Sequence, residues 1–183
     1  MKTAGIALPL LAALLVAVPA AADSNVGAPG QSAAPSQARG ELLSLPEFAL
    51  PGLDGAPHRL ADWSGKVIIL NFWASWCSPC LYEIRDFVAY QERYQARGLQ
   101  IVGVGIDDAN KLRNVQRSLE INYPVLVADP VKNGTMMEPW GNRSGIVPFS
   151  VVIGRDGRVV TTYRGLMSRE SFDEDVLPLL GRN

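Results

Sequence analysis

The chain has 183 residues, with 17 Lys and Arg against 18 Asp and Glu, a formal net charge of -1 and 48% apolar residues. That balance excludes a disordered or fibrous chain and leaves no basic field to draw in nucleic acid or anionic lipid. Two cysteines and one histidine, His58, exclude a disulfide-stapled mini-protein, an all-cysteine zinc site and a multi-histidine metal cluster.

Met1 to Ala22 reads as a secretory signal peptide. Lys2 and the amino terminus are positive, Ile6 to Val18 is apolar, and Ala20-Ala21-Ala22 offers small residues before a cleavage site. The 20 residues from Thr3 to Ala22 could also just span a bilayer as an uncleaved anchor. Pro9 and Pro19 interrupt that run, which favours cleavage after Ala22. Asp23 to Gly40 is rich in Gly, Pro, Ser, Ala and Gln, and reads as a flexible linker. Residues 41–183 then form a single domain.

Within that domain, Phe48-Ala49-Leu50 and His58-Arg59-Leu60 flank Gly52-Leu53-Asp54-Gly55, which predicts a small hairpin. Val67 to Trp73 is β-branched and aromatic on both phases, the pattern of a strand buried on both faces. From Ser78 to Arg97 the period changes: Leu81, Ile84, Phe87 and Val88 recur at helical spacing, and Gly98 ends the run. Ile101 to Ile106 predicts the next strand, whose Gly103 and Gly105 imply close packing. Asp108 is placed to cap a helix through Glu120 with Leu112, Val115 and Leu119 on one face.

Val125 to Val127 predicts a short strand, followed by a short helix or irregular insertion over Asp129 to Asn142. Phe149 to Ile153 and Arg158 to Tyr163, around Gly154-Arg155-Asp156-Gly157, predict a β-hairpin. Ser168 to Leu180 predicts a last helix capped by Ser168. A β-α-β unit needs parallel strands and the hairpin needs antiparallel ones, so the expected class is α/β with a mixed sheet flanked by helices.

Trp76-Cys77-Ser78-Pro79-Cys80 stands where the first long strand gives way to the first long helix. Unpaired N–H groups and the helix dipole favour thiolate there, the form that attacks disulfides. Cys77 is the outer residue and hence the attacking thiol, and Cys80, one turn in, resolves the mixed disulfide. Pro79 suits the first turn. Half a zinc site has no second half here, and Leu81 in place of His after Cys80 excludes haem attachment. A purely structural bridge would close too small a loop to restrict the unfolded chain much.

Asn71-Phe72-Trp73-Ala74-Ser75-Trp76-Cys77-Ser78-Pro79-Cys80 resembles the active-site segment of the thioredoxin superfamily, most of all its extracytoplasmic TlpA/ResA-like branch of thiol-disulfide oxidoreductases. The resemblance runs from about Leu45 to the C-terminus. It implies a thioredoxin fold with an N-terminal hairpin and an inserted segment before the cis-proline strand. It assigns that cis proline to Val147-Pro148, which would contact the partner peptide alongside Trp76. The polar residue usual after this proline is Phe149 here. Glu83, three residues beyond Cys80, matches a glutamate that assists the resolving cysteine in ResA-like proteins, though a solvated first-turn glutamate would also fit the helix dipole. Trp73 and Trp76 are candidates for an apolar docking rim, Trp63 and Trp140 for packing, and Met136-Met137 for packing rather than copper.

The implied activity is a periplasmic thiol-disulfide exchange, without a cofactor, that acts as a reductant on oxidised extracytoplasmic proteins and is recharged by a membrane thiol-disulfide donor. Neither nucleic acid nor metal is expected as a partner, and the membrane enters only if the leader stays as an anchor. Peroxiredoxins, which share the fold, use Thr three residues before the reactive Cys, where this chain has Ala74. A Sco-like copper chaperone needs a histidine after its cysteines, and His58 precedes them.

Overall fold

The computed structural model describes residues 49–181. The expected leader, the linker and Phe48 lie outside the described residues.

The first elements form a small antiparallel pair, β1 (Ala49–Pro51) and β2 (Pro57–Arg59). It is a separate two-stranded sheet, tied to the main one by a bridge between Gly52 and Leu126. His58 hydrogen-bonds Asp54 at 2.9 Å and stacks on Trp63, which accounts for the single histidine as part of this corner.

The main sheet contains β3 (Val67–Trp73), β4 (Leu99–Ile106), β5 (Val125–Ala128), β6 (Phe149–Ile153) and β7 (Val159–Arg164), in the order β5-β4-β3-β6-β7. β3, β4 and β5 are parallel, whereas β6 runs antiparallel to β3 and β7 antiparallel to β6. The sheet is therefore mixed, as the order of elements requires. Three helices accompany it: α1 (Ser78–Tyr94), α2 (Ala109–Ser118) and α3 (Arg169–Asp175).

All seven residues of β3 are buried, and they alternate between two cores. Val67, Ile69 and Trp73 face the layer of Ile84 and Phe87 from α1, Leu112 from α2 and Phe172 from α3. Right-handed crossovers from β3 to β4 and from β4 to β5 put α1 and α2 on that same face. The return from β5 to β6 crosses the opposite face, where Met137 and Trp140 pack with Ile68, Leu70 and Phe72. The methionine pair and both Trp63 and Trp140 thus serve packing. Trp73 is fully buried and contributes nothing to a docking rim, because its position in β3 turns it under α1.

Gly105 shows why β4 carries glycine: a Cβ there would lie 2.5 Å from Leu112 Cδ2. Gly98, at φ +88°, ends the α1 segment after a short 3-10 turn over Gln95–Arg97, and β4 starts at Leu99, two residues earlier than the apolar run suggests. Asp108 caps α2, accepting from Asn110 N at 2.8 Å and Lys111 N at 3.4 Å. That helix stops at Ser118 rather than Glu120, where the backbone turns left-handed at φ 51°.

The last predicted helix is also shorter. α3 ends at Asp175, and the chain continues as a 3-10 turn over Leu177–Leu179. Pro178 has no N–H to bond one turn back, and its ring clashes with the carbonyl of Glu174 in an α conformation. Apolar spacing through Leu180 concealed that break. The insertion after β5 is a series of turns with one 3-10 turn at Glu138–Trp140.

Candidate active site

The site begins at the C-terminal edge of β3. Ala74 to Trp76 carry the chain from the strand into α1, and Cys77 N–H closes the turn on the Ala74 carbonyl at 3.1 Å. Ser75 Oγ donates to the Asp107 carboxylate, just past β4, which fastens this turn to the neighbouring strand. Three hydrogen bonds, from Ser75, Asp108 N and Lys111, outweigh partial burial of Asp107 and hold its pKa below the usual value.

Cys77 is the N-cap of α1, its extended backbone leading into the helix, and its Sγ accepts from Cys80 N at 3.3 Å. Pro79 occupies the first turn. Cys77 and Cys80 are joined by a disulfide with a Cα–Cα separation of 5.3 Å. Cys80 is wholly buried, whereas Cys77 keeps 5% of its surface open, so the pair meets solvent only at Cys77. The aromatic ring of Trp76 stands out beside it, 71% exposed.

Val147-Pro148 is a cis peptide bond. Phe72 pairs with Phe149 at the end of the β3–β6 ladder, so Val147 and Pro148 lie just beyond it, at the edge where β3 gives way to the turn before Cys77. The cis proline therefore flanks the turn that carries Cys77. Pro148 is buried and Val147 half-buried. The Pro148 carbonyl accepts from Gly165 N at 2.8 Å, which brings the loop between β7 and α3 to the same corner.

Glu83 is 2% exposed, so it is no solvated first-turn glutamate. Its Oε1 accepts from Met167 N at 2.6 Å and its Oε2 from Asn71 Nδ2 at 2.8 Å. Asn71 Nδ2 also donates to Ser150 Oγ at 2.9 Å. Burial pushes the Glu83 carboxyl up to about 7, although both hydrogen bonds pull it down. Tyr123, buried nearby, is pushed well above the ordinary tyrosine range, first by desolvation and then by the Glu83 charge. Cys80 and Glu83 are both buried and lie three residues apart on α1, where side chains are neighbours.

Sequence reasoning named Cys77, Cys80, Glu83, Trp76, Val147 and Pro148, and the structure gathers them at one end of the sheet. It did not name Asn71, Ser150 or Met167. Asn71 carried a signal, being the one amide in an otherwise apolar strand. Met167 carried none, because its backbone N–H makes the contact. Among the described residues no three His, Cys, Asp or Glu side chains gather as a metal-binding group.

Comparison with known proteins agrees with this geometry. The AhpC/TSA family matches residues 43–162. The chain is 31% identical over 136 residues to the thiol-disulfide oxidoreductase ResA of Geobacillus thermodenitrificans, covering 72% of this chain and 73% of the relative. Among solved structures it is similar to a thiol:disulfide interchange protein DsbE from Chlorobium tepidum, with TM-score 0.66 and 31% identity, over 74% of this chain and 94% of that one. It is also similar to a secreted Mycobacterium tuberculosis disulfide oxidoreductase homologous to Escherichia coli DsbE, with TM-score 0.59 and 25% identity, over 73% of this chain and 96% of that one. A mixed sheet, a Cys-x-x-Cys disulfide at the start of α1 and these matches assign the chain to the AhpC/TSA family, in the TlpA/ResA-like branch of thioredoxin-fold thiol-disulfide oxidoreductases.

Proposed function

We propose that this protein is a periplasmic reductant of protein disulfides, secreted across the inner membrane by its leader. The observation that carries the reading is the Cys77–Cys80 bridge at the first turn of α1, with the buried Glu83 carboxyl one turn along.

In the reduced state Cys77 attacks a substrate disulfide as the thiolate. A Cys77–substrate bond forms, the substrate disulfide breaks, and the leaving sulfur takes a proton. Glu83 accepts the Cys80 proton, and Cys80 then attacks Cys77 Sγ. The second substrate sulfur leaves as a thiol, and the internal disulfide closes. Two electrons pass from the dithiol to the substrate. A membrane thiol-disulfide donor recharges the pair, since the periplasm supplies no reducing buffer. The leader, if retained, would anchor the enzyme beside that donor.

Two features support the reducing direction. A disulfide becomes oxidising when the reduced form is strongly stabilised as thiolate. Ser78 and Pro79 add no positive charge between the cysteines to reinforce the pull of the helix N-terminus on Cys77. A buried carboxylate beside Cys80 opposes a second negative charge there.

The reduction potential tests this. It should fall near the thioredoxin value, about -270 mV, and not near the oxidant DsbA at about -120 mV. Cys80→Ser should trap mixed disulfides with periplasmic proteins. An oxidising potential would reverse the proposed direction. No trapped species and no insulin reduction would remove the exchange reading, and peroxide consumption in their place would identify a peroxidase.

A further inference from the structure

Asn142, in the turns between β5 and β6, is a buried amide in an exposed stretch of chain. It is 1% exposed, whereas its neighbours Gly141, Arg143, Ser144 and Gly145 are open to solvent. Its Nδ2 donates to the Ile146 carbonyl at 2.8 Å and to Met137 Sδ at 3.4 Å. Its Oδ1 accepts from Ser144 Oγ at 3.1 Å, and its backbone N–H donates to the Met137 carbonyl at 3.1 Å. A carbonyl oxygen only accepts, so the atom facing Ile146 must be the amide nitrogen.

The consequence lies one residue on. Among the described residues only the Val147-Pro148 bond is cis, so the Ile146-Val147 peptide is trans. In a planar trans peptide the C=O and N–H point to opposite sides. With the Ile146 carbonyl turned toward Asn142, the Val147 N–H faces away from it. Among the described residues nothing accepts a hydrogen bond from that N–H. Val147 lies just past the Phe72–Phe149 end of the β3–β6 ladder, at the edge where β3 leads into the turn that carries Cys77, and Ile146 beside it is 56% exposed.

We propose that Asn142 is a positioning residue for the partner: by holding the Ile146 carbonyl it presents the Val147 N–H to a backbone carbonyl of an extended polypeptide whose cysteine meets Cys77. A donor fixed in advance loses less conformational freedom on binding, so more of its net hydrogen-bond strength appears as affinity. The inference rests on the exchange reading above. It concerns recognition of polypeptide backbone and not sulfur chemistry, so small disulfides, which have no backbone to offer, gain little from it.

The test compares Asn142→Ala with the unmutated protein on insulin and on a small aromatic disulfide. The ratio of the two kcat/KM values should fall about tenfold in favour of the small disulfide, the factor that one hydrogen bond of ordinary strength is worth. The loss should appear in KM for insulin, while the potential of the Cys77–Cys80 couple stays where it was. An unchanged ratio overturns the proposal. A second measurement needs no change at Asn142. In the Cys80→Ser protein joined by a mixed disulfide to a short synthetic peptide with one cysteine, the Val147 amide should exchange its hydrogen more slowly than in the peptide-free protein. Equal exchange rates overturn the proposal as well. If the unmutated protein reacts with neither disulfide, the exchange reading itself has failed.

Discussion

Glu83→Gln tests the buried carboxyl directly. The Glu83 carboxyl titrates near 7 in the folded protein, against 4.5 for an ordinary glutamate, mainly because burial disfavours its charge. Between those two values the folded state holds a proton that the unfolded state has released. Stability therefore falls as pH rises from 4.5 through 7, and the loss is complete above 7. Each pKa unit is worth about 1.4 kcal/mol, so the loss is about 3 kcal/mol. Glutamine copies the protonated acid in shape and never charges. Its oxygen can accept from Met167 N, and its nitrogen can donate to Asn71 Oδ1, which has no partner, once the Asn71 amide turns over. The residual mismatch should cost about 1 kcal/mol.

Urea unfolding of the oxidised protein, followed by tryptophan fluorescence from about pH 4 to pH 8, reads out the difference. At the acid end the two proteins should agree within about 1 kcal/mol. At the alkaline end the glutamine variant should be the more stable by about 2 kcal/mol, which moves the urea midpoint by about 1 M. The other titrating groups are common to both proteins and cancel in the comparison. Parallel stability curves would refute the reasoning, because they would mean that Glu83 keeps an ordinary carboxylate pKa.

Two predictions concern the frame that holds the site. Gly105→Ala should destabilise the protein by about 1–3 kcal/mol in thermal or urea unfolding, since the new methyl group meets the buried Leu112 side chain at 2.5 Å and the core must shift. Asp108→Ala removes the acceptor for two N–H groups at the start of α2 and should cost about 1 kcal/mol, with disulfide exchange retained at a temperature where the protein stays folded.

Several elements were legible because local chemistry alone decides them. Val67 to Trp73 had to be a strand covered on both faces, since neither phase of the run can meet water. Asp108 and Ser168 were readable as caps because a side-chain oxygen next to free N–H groups satisfies them in any fold. The break in the last helix was equally local: Pro178 marks it, and the apolar spacing through Leu180 hid it.

What the amino-acid sequence settled by itself is the pair of cysteines and its setting at a strand-to-helix junction, because a Cys-x-x-Cys across a first helical turn needs only neighbours to define it. The tertiary structure decided how that pair is surrounded. Glu83 is buried, and it accepts hydrogen bonds from Asn71 of β3 and from Met167 N of the far loop, partners 12 and 84 residues away. Asn142 lies in a stretch that has no periodicity to read, yet its amide fixes the peptide beside Val147. Burial and long-range hydrogen bonding depend on which segments the sheet brings together. No single segment contains that information, so carboxyl charge and backbone direction at this site became visible only after the fold was assembled.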